Sequence, residues 1–150
     1  MFSREILDVL TPLLVSLGLG SLIGWERQAG RKPAGMRTHV LVCVAATTFV
    51  LLQDFAVKQY GGSSDPTRLM AAVITGVGFL GAGSILRTSE GFVHGLTTAA
   101  SVWMVSAIGC AVGVHAYALA TTVTIIALVV LRGYRWLEDI LSPPEGGERK

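Results

Sequence analysis

The chain has 150 residues, of which 51% are apolar and 15% charged; the formal net charge is +2 and the mean hydropathy +0.60. A soluble domain carries about 25% charged residues, so the composition excludes an ordinary water-soluble domain and assigns much of the surface to lipid. There is no Lys/Arg-rich tract to bind nucleic acid, and Cys43 and Cys110 sit in apolar runs without metal-ligand or redox spacing, where they read as small hydrophobes.

A membrane-spanning helix needs about 20 mainly apolar residues, and five segments approach that length. The first runs from Leu7 to Gly24. Arg4 precedes it, but Glu5 and Asp8 spoil a basic leader and no small-x-small cleavage site follows, so it is expected to stay attached. Trp25-Glu26-Arg27 then reads as a helix leaving the membrane, and Gln28 to Gly35, with Gly30 and Pro33, reads as a loop. The second helix is expected over Thr38 to Val57. The stretch YGGSSDP from Tyr60 to Pro66 is turn chemistry, with Asp65 placed to cap a helix and Pro66 at its first position. The third helix is expected over Leu69 to Leu86, followed by a loop from Thr88 to Gly95 that contains Gly91.

Leu96 to Leu131 is one nearly continuous apolar run of 36 residues. As a single helix it would be about 54 Å long, against a hydrocarbon core of about 30 Å. The run must fold back, and Gly113-Val114-His115 offers the break, giving helices over Leu96 to Gly113 and Val114 to Leu131. The expected fold class is therefore all-α: a polytopic membrane protein with five transmembrane helices in a compact glycine-rich bundle. Residues 1–141 form the transmembrane domain and 142–150 (SPPEGGERK from Ser142) a disordered tail.

The twelve Lys and Arg residues set the expected orientation. Arg27, Arg31, Lys32, Arg37, Arg87, Arg132, Arg135, Arg149 and Lys150 fall on one side, against Arg4, Lys58 and Arg68 on the other. Nine against three places the N-terminus outside and the C-terminus in the cytoplasm.

Gly76-Val77-Gly78-Phe79-Leu80-Gly81 matches Gly-x-Gly-x-x-Gly, but it lies inside an apolar membrane segment, with no acidic residue about 20 positions on, so it is not a dinucleotide site. Close helix packing explains it better. Helices in lipid associate through small residues that let backbones approach. Gly20-x-x-x-Gly24, Gly78-x-x-x-Ala82 and Gly109-x-x-x-Gly113 have that spacing, and Gly76, Gly81 and Gly83 extend it. The third helix is thus the expected centre of the bundle. Alternatively, its glycines let the backbone bend near a site.

The middle of every segment lacks Asp, Glu, Lys, Arg and His, which weakens a transport mechanism built on intramembrane charges. Charge gathers at the faces instead. Glu26, Arg27, Arg37, His39, Arg87, Glu90 and His94 share one side, and Thr97, Thr98 and Ser101 form a hydroxyl patch beside them. Asp65 and Arg68, at i and i+3, face the other side and can pair locally. The candidate functional polar residues are Glu26, Arg27, Arg37, Asp65, Arg68, Arg87, Glu90, Thr97 and Thr98. Either face has the one or two carboxylates that magnesium prefers, but no spacing demands a metal, so a metal site stays open. No catalytic constellation is present; neither enzyme activity nor a cofactor is expected.

Three stretches, GWERQAGRKPAGMRTHVLVCVAA (Gly24 to Ala46), DPTRLMAAVITGVGFLGAGSIL (Asp65 to Leu86) and GLTTAASVWMVSAIGCAVG (Gly95 to Gly113), closely resemble the MgtC/SapB family of bacterial membrane proteins. The resemblance implies an inner-membrane protein of five helices, linked to growth in low magnesium and to virulence. It implies a regulator that contacts other membrane proteins, with a proton-translocating ATP synthase as the partner type. The motif residues carried over are Glu26, Arg27, Arg37, Asp65, Arg68, Gly76, Gly78, Gly81, Gly83, Thr97 and Thr98. Longer members add a cytoplasmic ACT-like domain, which this chain is expected to lack. A cation-transport component and a self-associating structural module, as a homo-oligomer, stand as alternatives.

Overall fold

The computed structural model describes residues 2–62, 65–87, 89 and 91–141. Five helices run through them: α1 (Phe2–Ala29), α2 (Met36–Tyr60), α3 (Pro66–Gly83), α4 (Leu96–Gly113) and α5 (Tyr117–Leu141). Between α3 and α4 lies a small antiparallel hairpin, β1 (Leu86–Arg87) and β2 (Val93–His94), with Leu86 opposite His94 and Arg87 opposite Val93. The expected tail, 142–150, lies outside the described residues.

The protein is an all-α membrane protein. α1, α2 and α4 are long and apolar enough to cross a bilayer, and Thr67–Gly83 and Tyr117–Gly133 form shorter apolar helices. The outside of the bundle carries many large apolar side chains: Leu14, Leu22, Leu41, Phe49, Leu52, Phe79, Ile126 and Val129 are all exposed. Soluble monomers rarely show contiguous apolar patches beyond a few hundred Å², so lipid tails are the solvent for this surface.

Two helix ends are decided by backbone chemistry. At the end of α4, the His115 N–H bonds to the Val112 carbonyl and the Ala116 N–H to the Ala111 carbonyl, with His115 at φ 59°. This is the paired-bond stop of a Schellman motif. It consumes Val114 to Ala116, so α5 starts at Tyr117 and not at Val114. The end of α1 repeats it: Arg31 (φ 50°) bonds to Gln28 and Lys32 to Arg27. α3 also differs from expectation. It stops at Gly83, and Leu86, expected as its last residue, pairs with His94 in the hairpin.

The central helix is α4, not α3. α4 packs against all four other helices, whereas α3 packs mainly on α2 and α4. The reason lies in where the small residues point. A β-carbon at Gly24 would lie 2.6 Å from Met36 Cα, and one at Gly20 3.0 Å from Cys43 Cβ, so α1 lies backbone to backbone on α2. One at Gly113 would lie 2.6 Å from Val50 Cβ, and one at Gly109 would overlap the Cys43 carbonyl oxygen, so α4 does the same on the other flank of α2. Gly81 meets Ala99 at an ordinary 3.6 Å. Gly76, Gly78 and Gly83 meet nothing within 4 Å among the described residues. Within one chain they pack against no helix, and Phe79 beside them is 82% exposed.

Polar groups in this core are satisfied locally. The Thr47 hydroxyl lies 2.9 Å from the Gly109 carbonyl and 3.1 Å from the Cys43 carbonyl, joining α2 to α4 at their closest approach. Ser16, Ser106 and Thr124 donate to carbonyls three or four residues back in their own helices. Cys43 and Cys110 are buried free thiols in the same core.

Candidate functional site

One end of the bundle collects the end of α1, the starts of α2 and α4, and the hairpin. Glu26 and Arg27 close α1 and are both buried, with the Arg27 Nε–H donating to Glu26 Oε2 at 2.5 Å. Burying a guanidinium is costly unless a carboxylate accompanies it, and Glu26, the preceding residue, supplies one. The loop that follows is held by the α1 stop and by the Met36 N–H, which donates to Gln28 Oε1 at 3.3 Å.

His39, on the first turns of α2, is fully buried between this loop and α4. Its Nδ1 lies 2.8 Å from the Gly35 carbonyl oxygen, which can only accept, so Nδ1 carries a proton. Its Nε2 lies 3.0 Å from Ser101 Oγ, which is itself 2.8 Å from the Thr98 carbonyl oxygen. Ser101 has one hydroxyl proton for these two neighbours. With a neutral imidazole, that proton goes to Nε2. With a charged one, Nε2 donates to Ser101 and Ser101 to Thr98. His39 thus ties the α1–α2 loop to α4 in either state.

A cavity of about 710 Å³ opens beside this cluster, walled by Arg27, Arg31, Lys32, His94, Thr97 and Thr98, with Val130 and Leu131 of α5 closing one side. Thr98 is buried and Thr97 exposed. Arg37 and Arg87 belong to the same end and are exposed. Glu90 lies outside the described residues.

Asp65 and Arg68 are elsewhere, at the opposite end of α3, beside a second cavity of about 550 Å³ that Gln53 and Ala56 of α2 also line. Asp65 caps α3, its carboxylate accepting from the Thr67 hydroxyl at 2.5 Å and the Thr67 N–H at 3.1 Å. The Thr67 hydroxyl holds its carboxyl below the usual range; desolvation opposes it, and the backbone N–H groups of Thr67 and Arg68 and the Arg68 charge add to the lowering. The candidate polar residues therefore divide between two sites. No group of three or more His, Cys, Asp or Glu able to hold a metal ion occurs among the described residues.

Arg31 and Lys32 join the first site without having been singled out in sequence, while His39, His94 and Ser101 were placed at this end in sequence but not among the candidate functional residues. Arg31 and Lys32 served there only as orientation charges. The Thr98/Ser101 spacing of three was the one available signal, since it places both hydroxyls on one helical face.

A family model described as the MgtC family matches residues 13–140. The chain belongs to the MgtC family. Its curated relatives include Protein MgtC of Brucella abortus (strain 2308), 47% identical over 116 residues, which are 75% of this chain and 46% of that protein. SrpB of Synechococcus elongatus is 36% identical over 146 residues, 91% of this chain and 80% of its own length. YhiD of Escherichia coli (strain K12), whose name proposes a magnesium transporter, is 38% identical over 129 residues, 83% of this chain and 59% of its own. The chain spans about half the length of the MgtC proteins it matches. No solved structure matches it. The matched region of the MgtC family model takes in both polar sites and all the packing glycines.

Proposed function

We propose that this MgtC-family chain is a non-enzymatic regulator of the bacterial inner membrane that acts by contact with other membrane proteins. The N-terminus is outside and the C-terminus cytoplasmic in this reading. The observation that carries it is the closed interior. Around α4 the helices meet through Ile23, Val105, Ile108 and Val112 and through glycine-to-backbone contacts, while the buried hydroxyls bond to backbone carbonyls. An ion path through the bilayer calls for polar or ionisable groups facing the bundle interior at mid-membrane, and here the charged side chains among the described residues stand toward the two ends of the helices. A contact regulator needs a lipid-facing surface that another helix can approach closely. The exposed face of α3 that carries Gly76 and Gly83, with Phe79 beside them, supports that role.

A link to magnesium limitation, to virulence and to an ATP-synthase-type partner rests on the family resemblance. A magnesium-transport component is the second reading, favoured by the name of the YhiD relative. The deciding experiment is magnesium flux into liposomes holding the purified chain, alongside Glu26→Gln and Asp65→Asn. Flux above empty liposomes that falls in a variant would make the chain a transporter. No flux from folded, inserted protein leaves contact regulation, which photo-crosslinking from position 79 in native membranes then tests. A crosslink to a second copy of the chain alone would favour self-association.

A further inference from the structure

We propose that the cavity between the α1–α2 loop, the hairpin, α4 and α5 binds a phosphate-bearing anion, supplied by a lipid headgroup or as free phosphate. The inference goes beyond the regulatory reading and does not depend on it. Among the described residues, the cavity walls carry three permanent cations, Arg27, Arg31 and Lys32, and no carboxylate. Glu26 is engaged with Arg27 Nε and is not a wall residue.

The geometry of α4 adds to the charge. Its first residues, Leu96 to Thr98, stand in the cavity wall, and no side chain caps them. The first N–H groups of a helix have no partner within it and carry the positive end of its dipole, which suits an anion. Gly95 precedes them at φ 91°, where a β-carbon would run into the Ser84 carbonyl, so the turn into α4 calls for glycine. The Thr97 and Thr98 hydroxyls add neutral donors beside the N–H groups.

The decisive observation is independent of the helix end. Arg27 is 2% exposed, and its Nη1 finds no hydrogen-bond partner among the described residues although Nε is used by Glu26. A buried guanidinium with an unused donor, on a residue that lines a cationic cavity, suits an oxyanion, because arginine presents its donors as a planar fork matched to phosphate oxygens. The two open sides suggest the two sources. Arg31 and Lys32 are exposed toward water, and Val130 of α5 is exposed on the apolar surface, where an acyl chain could lie below its headgroup.

The test uses the full chain. One arm titrates inorganic phosphate by calorimetry into the chain held in phosphatidylcholine nanodiscs. The other counts phosphatidylglycerol against phosphatidylcholine retained by the detergent-solubilised chain in native mass spectrometry. Binding in the first arm names free phosphate, and preference in the second names a headgroup. In the arm that binds, Arg31→Gln with Lys32→Gln, and separately Thr97→Asp, should each weaken binding about tenfold or more. All three positions are exposed, so the fold should survive. Lys58→Gln with Arg68→Gln removes equal charge at the far end and should change binding less than about twofold. Absence of binding in both arms, or equal loss in the far-end pair, would overturn the proposal.

Discussion

Replacing Gly109 by alanine asks how far the α2–α4 contact holds the fold together. The added methyl would stand 2.8 Å from Ala46 Cβ and overlap the Cys43 carbonyl oxygen. Carbon atoms prefer about 3.5–4.0 Å, so the two helices must part by about 1 Å. Overpacking of this kind costs about 1–3 kcal/mol. Parting also stretches the Thr47 hydrogen bond to the Gly109 carbonyl, worth about 0.6 kcal/mol in a membrane. Alanine gains up to about 1 kcal/mol in helix propensity. The net is a loss of about 2 kcal/mol, or about thirtyfold in the unfolding equilibrium. Gly78→Ala provides the counterpart, because nothing lies within 4 Å of Gly78 among the described residues and only the propensity gain remains. Reversible unfolding of the two variants in mixed micelles, with the mass of each particle measured, checks both signs. A Gly109→Ala protein as stable as the parent would refute the close-packed α2–α4 seam. A Gly78→Ala protein that loses as much as Gly109→Ala would place a second copy or partner against Gly78.

Thr47→Val keeps the volume of the side chain and removes its bond to α4; a loss of about 0.6 kcal/mol, and less than about 2, is expected in the same unfolding measurement. His115→Gly relieves a left-handed residue, worth about 1–2 kcal/mol, but gives up the bond to the Tyr117 hydroxyl at 2.9 Å. A small net stabilisation is expected, and Tyr117→Phe, which loses the bond without changing the backbone, should not show it. At Asp65 the folded carboxyl titrates below its ordinary value. The stability from its cap is therefore complete above about pH 4 and is lost as pH falls through the lower folded value. Amide exchange in the first turn of α3 should accelerate on acidification across that window, and Asp65→Asn, which caps without titrating, should lose the dependence.

Composition, hydropathy runs and turn residues were enough to establish a membrane protein of five helices, because each rests on a local cost. A buried backbone must close its own hydrogen bonds, an apolar run must match the bilayer, and Asp65-Pro66 can only start a helix efficiently. The glycine spacings announced close packing but not its partner. Gly20, Gly24, Gly109 and Gly113 meet α2, while Gly76, Gly78 and Gly83 look outward, because which face of a helix turns inward is decided by the neighbours it must fit. That is why α4 and not α3 is central. The polar residues show the same limit. Glu26 and Arg27 could be named from the end of their helix, but the tie from His39 to Ser101 spans 62 positions in sequence. The meeting of Arg31 and Lys32 with the start of α4 likewise comes from helix packing and the left-handed stop at Arg31. Local sequence chemistry determined where along the chain the five apolar helices lie; only tertiary packing decided which charges share a cavity, since that proximity is a property of the assembled bundle and of no single segment.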